Sequence, residues 1–234
     1  MLSLIADLHS HTFMSGHGID TARTIAEAAY RQGLEGIGIT DHGPGIQGGP
    51  EPIYFLSLTR MFGGLHLPIR IFTGVEDDIK NKKGELTLHD DVLSGLELVI
   101  TGLHPFSSIA DFNRVDRTSA VVNAMASGRI KMFTHPVGTY LDVDIDEVID
   151  AAVQHDVALE LNTSKLQKKK TVLEYLEKCA LKGAKITVNS DAHIAEEVGQ
   201  FLTAYEYLRE VHFPEELVIN RSREVIESFF GIRW

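Results

Sequence analysis

Asp7-Leu8-His9-Ser10-His11 ends the first apolar run of the chain and sets two imidazoles two residues apart. Alternate side chains of an extended strand share a face, so this spacing predicts Asp7, His9 and His11 on one side and Leu8 and Ser10 on the other. Imidazole nitrogens suit zinc and its neighbours, and a carboxylate two residues away can orient a ligating ring. A lone His-x-His also arises by chance. Here six further apolar runs end in residue types that bind metals: 37–42 in Asp41-His42, 71–76 in Glu76, 98–104 in His104, 130–135 in His135, 157–162 in Glu160 and Asn162, and 186–193 in Asp191 and His193. Core histidines scattered at random would not fall at the ends of successive strand-like runs. In a barrel of parallel strands the active site lies at those carboxyl ends.

The segments between the runs supply the helices such a barrel needs. Residues 21–32 carry Ile25, Ala28 and Ala29 on one face and stop before Gly33, where a left-handed cap is expected. The same punctuation recurs with 121–127 before Gly128 and 172–182 before Gly183. Helix, glycine and short apolar strand in alternation predict βα units with parallel strands. Residues 54–63, 144–155, 196–211 and 223–230 also read as helices, with Pro214 between the last two. Residues 80–84 read as a turn and 85–89 as a short extra strand. The glycine- and proline-rich stretch 43–50 reads as a loop and not a phosphate cradle, because no Gly-Lys-Ser/Thr accompanies it.

A chain of 234 residues can bury one sizeable core, and no linker, long-period repeat or low-complexity tract divides it. The expectation is one α/β domain over residues 1–234. A net charge of -11 argues against an unassisted nucleic-acid or anionic-membrane surface. There is no run of eighteen apolar residues and no basic segment leading into an apolar one at the N-terminus, so a soluble, cytoplasmic protein is expected. The single Cys179 cannot form an internal disulfide, which fits a reducing compartment.

The candidate ligands are His9, His11, His17, His42, Glu76, His104, His135, Asp191 and His193. That set is too large for one tetrahedral zinc and suits two or three ions sharing a bridging carboxylate. Clustered ions generate hydroxide near neutral pH and clamp phosphoryl oxygens, so phosphate ester hydrolysis is the natural chemistry. Asp7 and Asp41 read as partners of ligands, not as ligands, and Glu160 and Asn162, on one strand face, as residues that can point into the barrel. His66, His89, His155 and His212 fall at helix ends or in loops and read as surface groups. Cys179 reads as packing, residues 168–170 as a solvated face. Trp234 either covers an apolar patch or frays. A phosphate dianion also wants a cation, for which Arg114 and Arg117 in the loop after His104 come first, then Lys80 and Lys165.

Asp7-Leu-His9-Ser-His11-Thr, Thr40-Asp41-His42, Gly74-Val-Glu76, Gly102-Leu-His104, Thr134-His135-Pro136, Leu159-Glu160-Leu-Asn162 and Ser190-Asp191-Ala-His193 resemble, in order, the motifs of the PHP (polymerase and histidinol phosphatase) family. Thr40-Asp41-His42-Gly43-Pro44, Ile79-Lys80-Asn81 after Glu76, and His17 in the first loop are most similar to its YcdX-like stand-alone phosphatases. The resemblance implies a distorted (β/α)7 TIM-like barrel and a trinuclear site, often of zinc, with iron or manganese as alternatives. It implies one ion on His9, His11, Glu76 and Asp191, a second on Glu76, His104 and His135, and a third on His17, His42 and His193. A hydroxide between ions would attack phosphorus, with His9, His11, Glu76, Asp191 and His193 as the catalytic set and a small phosphorylated metabolite as substrate. Residues 105–116 have no counterpart in that pattern, and many members carry an acidic residue where His17 stands. No polymerase domain accompanies the motifs, which weakens the rival reading of a phosphodiesterase or exonuclease on nucleic acid. A non-catalytic metal-binding module is the rival of another class.

Overall fold

The computed structural model describes residues 2–138 and 141–234. The apolar runs pair as parallel strands in chain order: β1 (Ala6–Asp7), β2 (Gly36–Ile39), β3 (Arg70–Asp78), β4 (Leu98–Gly102), β5 (Met132–Phe133), β6 (Ala158–Asn162) and β7 (Ile186–Asn189). Parallel neighbours need long return connections. These are α1 (Ala22–Arg31), α2 (Pro52–Gly63), the short α3 (Asp90–Leu93), α4 (Arg114–Ala126), α5 (Ile145–His155) and α6 (Lys169–Lys182), followed by α7 (Leu202–Glu210) and α8 (Arg223–Phe230). The result is the expected seven-stranded α/β barrel. No helix among the described residues is long and apolar enough to cross a membrane.

Local chemistry fixes the helix ends. Thr21 caps α1 by accepting from the Thr24 N–H, Asp144 caps α5 by accepting from Asp146 and Glu147, and α6 stops at Gly183 with φ of 72°. Three predicted boundaries shift for identifiable reasons. Helix α4 starts at Arg114, not at Val121, because Asn113 accepts from the Asp116 N–H and begins the helix within a polar stretch that apolar periodicity does not reveal. The helix predicted over 196–211 is broken by Gly199 in the left-handed region, leaving a 3-10 turn at Ala195–Glu197 and α7 from Leu202. The predicted strand over 85–89 is reduced to one antiparallel bridge between Ile79 and Leu86.

The barrel closes where β1 meets β7. Beyond the strands, Asp191 N donates to His9 O at 3.0 Å and His11 N to Ala192 O at 2.8 Å. Lower in the same seam the fully buried Asn220 substitutes for strand pairing. Its Nδ2 donates to the carbonyls of Ala6 (2.8 Å) and Val188 (2.7 Å), its Oδ1 accepts from Val188 N (3.1 Å), and its own carbonyl accepts from Ile5 N (3.0 Å). Ala6, Leu98 and Ala158 at the amino ends of their strands, with Leu8 and Phe72, pack with Ile226, Phe229 and Phe230 of α8, which plug the barrel floor. Trp234 packs edge-on to Phe72 with ring centroids 5.4 Å apart, so the terminal indole covers that floor and does not fray. A larger apolar layer joins the outer face of the sheet to the other helices.

Replacing Asn220 by Ala leaves three buried backbone groups of Ala6 and Val188 without a partner, each worth about 1–3 kcal/mol when orphaned. Asn220→Ala is therefore expected to lose roughly 3 kcal/mol in equilibrium urea unfolding. A loss below about 1 kcal/mol would show that closure does not depend on this side chain.

Candidate metal centre

β3 is nine residues long and projects its end into the mouth of the barrel, carrying Glu76 to the centre of the site. The carboxylate is fully buried and its two oxygens serve five imidazoles. Oε2 lies 3.3 Å from His9 Nε2, 3.4 Å from His11 Nε2 and 3.2 Å from His42 Nδ1. Oε1 lies 3.4 Å from His104 Nε2 and 3.1 Å from His135 Nε2. Asp191 Oδ1 adds a second carboxylate 3.5 Å from His9 Nε2 and 3.2 Å from His11 Nε2. His193 and His17 complete the outer side, their Nε2 atoms 2.8 Å apart. All nine predicted ligands thus converge on one place. Gly102 permits the crowding, since a Cβ there would stand 2.2 Å from Thr134 Oγ1 and 3.0 Å from Glu76 Oε1. His135 and Asp191 hold left-handed backbone (φ of 32° and 56°), which non-glycine residues adopt only where their surroundings enforce it.

The hydrogen-bond partners of the rings set their orientation. His9 Nδ1 donates to Glu160 Oε1 at 2.8 Å, and His11 Nδ1 donates to Ser15 Oγ at 3.0 Å, because the Ser15 hydroxyl itself donates to Asp41. Both Nε2 atoms then point inward and face each other at 2.9 Å; burial opposes protonation of the two rings, but the carboxylates of Glu160, Glu76 and Asp191 outweigh it and raise both, so a metal cation here competes with protons. The pair His17 and His193 repeats the pattern: their Nδ1 groups donate to the carbonyls of Ser15 and Asp191, and their Nε2 atoms meet. Two ring nitrogens at such distances repel unless a proton or a metal cation lies between them. His104 Nδ1 likewise donates to Asp78 Oδ1 at 3.1 Å, leaving Nε2 inward. Among the described residues His42 Nδ1, Glu76 Oε2, His104 Nε2 and His135 Nδ1 are buried without a hydrogen-bond partner. Such orphans are rare in folded proteins unless an ion or water satisfies them. The donor set, imidazole nitrogens with shared carboxylates, fits divalent transition metals.

Charge follows the same logic. Burial opposes ionisation of Glu76, but His9 and His104 hold its carboxyl well below the usual range, and His9 and His11 do the same for Asp191. Burial, reinforced by His11, pushes His42 well down and His193 down to about 4, so both offer neutral ligand nitrogens. Burial would also keep His104 neutral, but Glu76 and Asp78 outweigh it and raise His104 to about 10; a cation at its Nε2 competes with that proton.

Three sets of ligand atoms lie within 4.8 Å of one another: His9, His11 and Glu76; His42, Glu76 and His104; and His11, His42 and His193. The first agrees with the set implied by family resemblance. In the other two His42 and His11 join, so that His11, His42 and Glu76 each belong to two groups. The centre opens on a cavity of about 540 Å³ whose wall includes His193, Asp191, Leu103, Pro105, Lys165 and Lys168.

The remaining predicted site residues lie elsewhere. Arg114 pairs with Asp142 and Asp144, and Arg117 with Asp142 and the carbonyls of Ala110 and Phe112, all at the start of α4. Lys80 pairs with Glu85 at 3.7 Å in the turn after β3. Among the described residues none of these three cations lines the cavity, whereas Lys165 does. Asp7 departs from its predicted face. The side-chain alternation breaks after the two-residue β1, and Asp7 accepts from the backbone of Ser190 and Gly199 at 3.1 Å instead of orienting a ligand ring; burial pushes its carboxyl up to about 6. Asp41 accepts from Thr12, Ser15 and Tyr54, and Glu160 holds His9, the His135 N–H and the amides of Asn162 and Asn189. Cys179 is buried, its thiol pushed up to about 12 by that burial, and His66, His89 and His212 are exposed. Sequence reasoning missed Ser15, Asp78 and Thr134, whose hydroxyl donates to Glu76 at 2.5 Å. Only Asp78 left a signal, two residues beyond Glu76 on the same strand.

A PHP domain model matches residues 7–164 of the chain. A probable phosphatase of Caldanaerobacter subterraneus subsp. tengcongensis is 34% identical over 235 residues, covering 97% of this chain and 91% of that protein. A probable phosphatase of Proteus mirabilis is 33% identical, covering 95% and 92%. Among solved structures, histidinol phosphate phosphatase from Lactococcus lactis subsp. lactis Il1403, complexed with zinc, L-histidinol and phosphate, matches with a TM-score of 0.64 at 21% identity over 91% of this chain and 95% of that one, a likeness of fold. A barrel of this topology, the metal-type cluster at its strand ends and full-length similarity to these relatives lead to one conclusion: the chain belongs to the PHP domain family.

Proposed function

We propose that this chain is a phosphoric monoester hydrolase that uses three divalent metal ions, zinc in the first instance, to release phosphate from a small phosphorylated metabolite. The observation that carries the reading is the convergence of inward-facing imidazole nitrogens around Glu76 at the floor of an open cavity. His9, His11, Glu76 and Asp191 would hold one ion, Glu76, His104 and His135 a second, and His17, His42 and His193 a third, with His11 and His42 near enough to share. A bound divalent ion supplies a nucleophile at neutral pH by acidifying water and offsets charge on the transferring phosphoryl group.

The chain's own residues do the rest. Glu76 and Asp191 stay ionised and draw cations in, while Glu160, Asp78 and Ser15 fix the rings so that the ligand nitrogens face inward. Lys165, with Nζ 3.0 Å from Ser164 Oγ and 3.5 Å from Asp191 Oδ2, and Lys168 beside it provide positive charge on the cavity wall for phosphate oxygens. Leu103 and Pro105 give the same wall an apolar part for the alcohol portion of the ester. A structural zinc site is closed by four ligands, commonly with several cysteines; this centre is open and the chain has one cysteine, buried elsewhere. The relatives named probable phosphatases support a monoester substrate, and the net charge of -11 works against a polynucleotide.

Elemental analysis of protein purified without chelators is expected to give three transition-metal ions per chain, with hydrolysis of p-nitrophenyl phosphate lost on stripping and recovered on adding zinc. One ion or fewer, or activity indifferent to stripping, would overturn the reading, as would faster cleavage of a labelled oligonucleotide than of the monoester. His193→Ala should remain folded by circular dichroism and lose metal and roughly 100-fold in turnover. Lys165→Ala should raise KM several-fold with kcat largely kept; an unchanged KM would take Lys165 out of substrate binding.

A further inference from the structure

The first loop contains a residue that touches three of the nine ligands without being one. Ser15 is fully buried in the 3-10 turn Phe13–Ser15. Its Oγ accepts from His11 Nδ1 at 3.0 Å and from the His42 backbone N–H at 3.1 Å, and its carbonyl accepts from His17 Nδ1 at 3.0 Å. Its one hydroxyl proton goes to Asp41 Oδ1 at 2.6 Å. Asp41 is held in turn by the Thr12 N–H at 2.7 Å, the Thr12 hydroxyl and the Tyr54 hydroxyl of α2 at 2.5 Å. Gly16 follows with φ of 81°, and a Cβ on it would meet Gly48 O at 2.9 Å, so the turn is also packed against the 43–50 loop.

Resting on the metal reading above, we propose that Ser15 is the positioning residue for the outer half of the centre. Through the chain Tyr54, Asp41, Ser15, it fixes the His11 tautomer and places His17 and His42 together. The hydrogen count supports this. A serine hydroxyl has one proton to give and two lone pairs to receive, and here the proton is committed to Asp41 while both lone pairs face donors. The His11 ring must then donate from Nδ1, which turns Nε2 toward Glu76 and Asp191. Partners that fix a ligand ring in this way typically alter metal affinity 10–100-fold. The loop also holds His17, the most exposed of the nine: its hydrogen bonds go to Ser15 O and the ring of His193 and it stacks beside His42, so its placement depends on the turn Ser15 closes.

The test measures metal binding by chelator competition and elemental analysis on wild type, Ser15→Ala, Tyr54→Phe and the double variant, with thermal unfolding of each stripped protein to establish that it folds. Ser15→Ala is expected to hold its weakest ion roughly 10–100-fold less tightly than wild type while the tighter ions stay bound. Tyr54→Phe, which leaves the loop intact, should shift the same ion in the same direction by less. The double variant should be no weaker than Ser15→Ala, because both changes act through Asp41. Ser15→Ala with wild-type affinity, or Ser15 and Tyr54 effects that simply add, would overturn the proposal while leaving the hydrolase reading in place. Wild type with at most one ion would sink the hydrolase reading itself.

Discussion

The buried carboxylate of Glu76 is the constraint from which the rest of the structure follows. An isolated carboxylate with no exposure is too costly to keep ionised, and the usual remedy is protonation or a paired cation. Five imidazoles surround this one, and His9 and His104 among them supply positive charge that keeps it ionised, carried on protons that a metal cation at the same nitrogens would displace. The arrangement is stable as a folded unit when positive charge lies among these atoms. The clustered carboxylates and inward-facing ring nitrogens have the electrostatic shape that bound divalent cations would complement.

Around that centre lies a ring of residues that give the ligand rings their direction. Glu160 turns His9, Asp78 turns His104, Asp41 acting through Ser15 turns His11, and backbone carbonyls turn His17 and His193. A histidine is a defined ligand only when its other nitrogen has a fixed partner. The barrel supplies such partners because neighbouring strands end at one level. Glu160 on β6 reaches His9 after β1, and Thr134 after β5 reaches Glu76 on β3.

Much of this was legible in the chain. The ends of the apolar runs pointed to eight of the nine residues that the structure brings together and the first loop to His17, and the glycines after α1 and α6 marked βα units that the structure contains. What was not legible has physical causes. The face of Asp7 was misjudged because β1 is only two residues long, too short for strict alternation to persist to His9 and His11. Arg114 and Arg117 looked free in sequence because their acceptors, Asp142 and Asp144, lie about thirty residues on and meet them only through the packing of α4 on α5. Ser15 and Thr134 are ordinary hydroxyls whose importance comes from three-dimensional neighbours. The left-handed backbone of His135 and Asp191 leaves no trace in residue type.

The same segments that carry the ligands also close the barrel. β1 and β7 scarcely pair as strands; the seam is joined by Asn220 below and, above, by bonds between His9 and Asp191 and between His11 and Ala192. The side chains of His9, His11 and Asp191 converge a few ångströms from those backbone bonds. A cation held by these three residues would clasp the two ends of the sheet together, and its binding would add to the folding energy of the least paired part of the molecule. The opposite end needs no such clasp. Phe229 and Phe230 of α8 fill it with apolar surface, and Asn220 satisfies the backbone just above them. Polar closure at the mouth and apolar closure at the floor are two solutions to one problem, a seven-stranded sheet that must join its own edges, and the site sits at the end where the joint is made of chemistry-bearing residues.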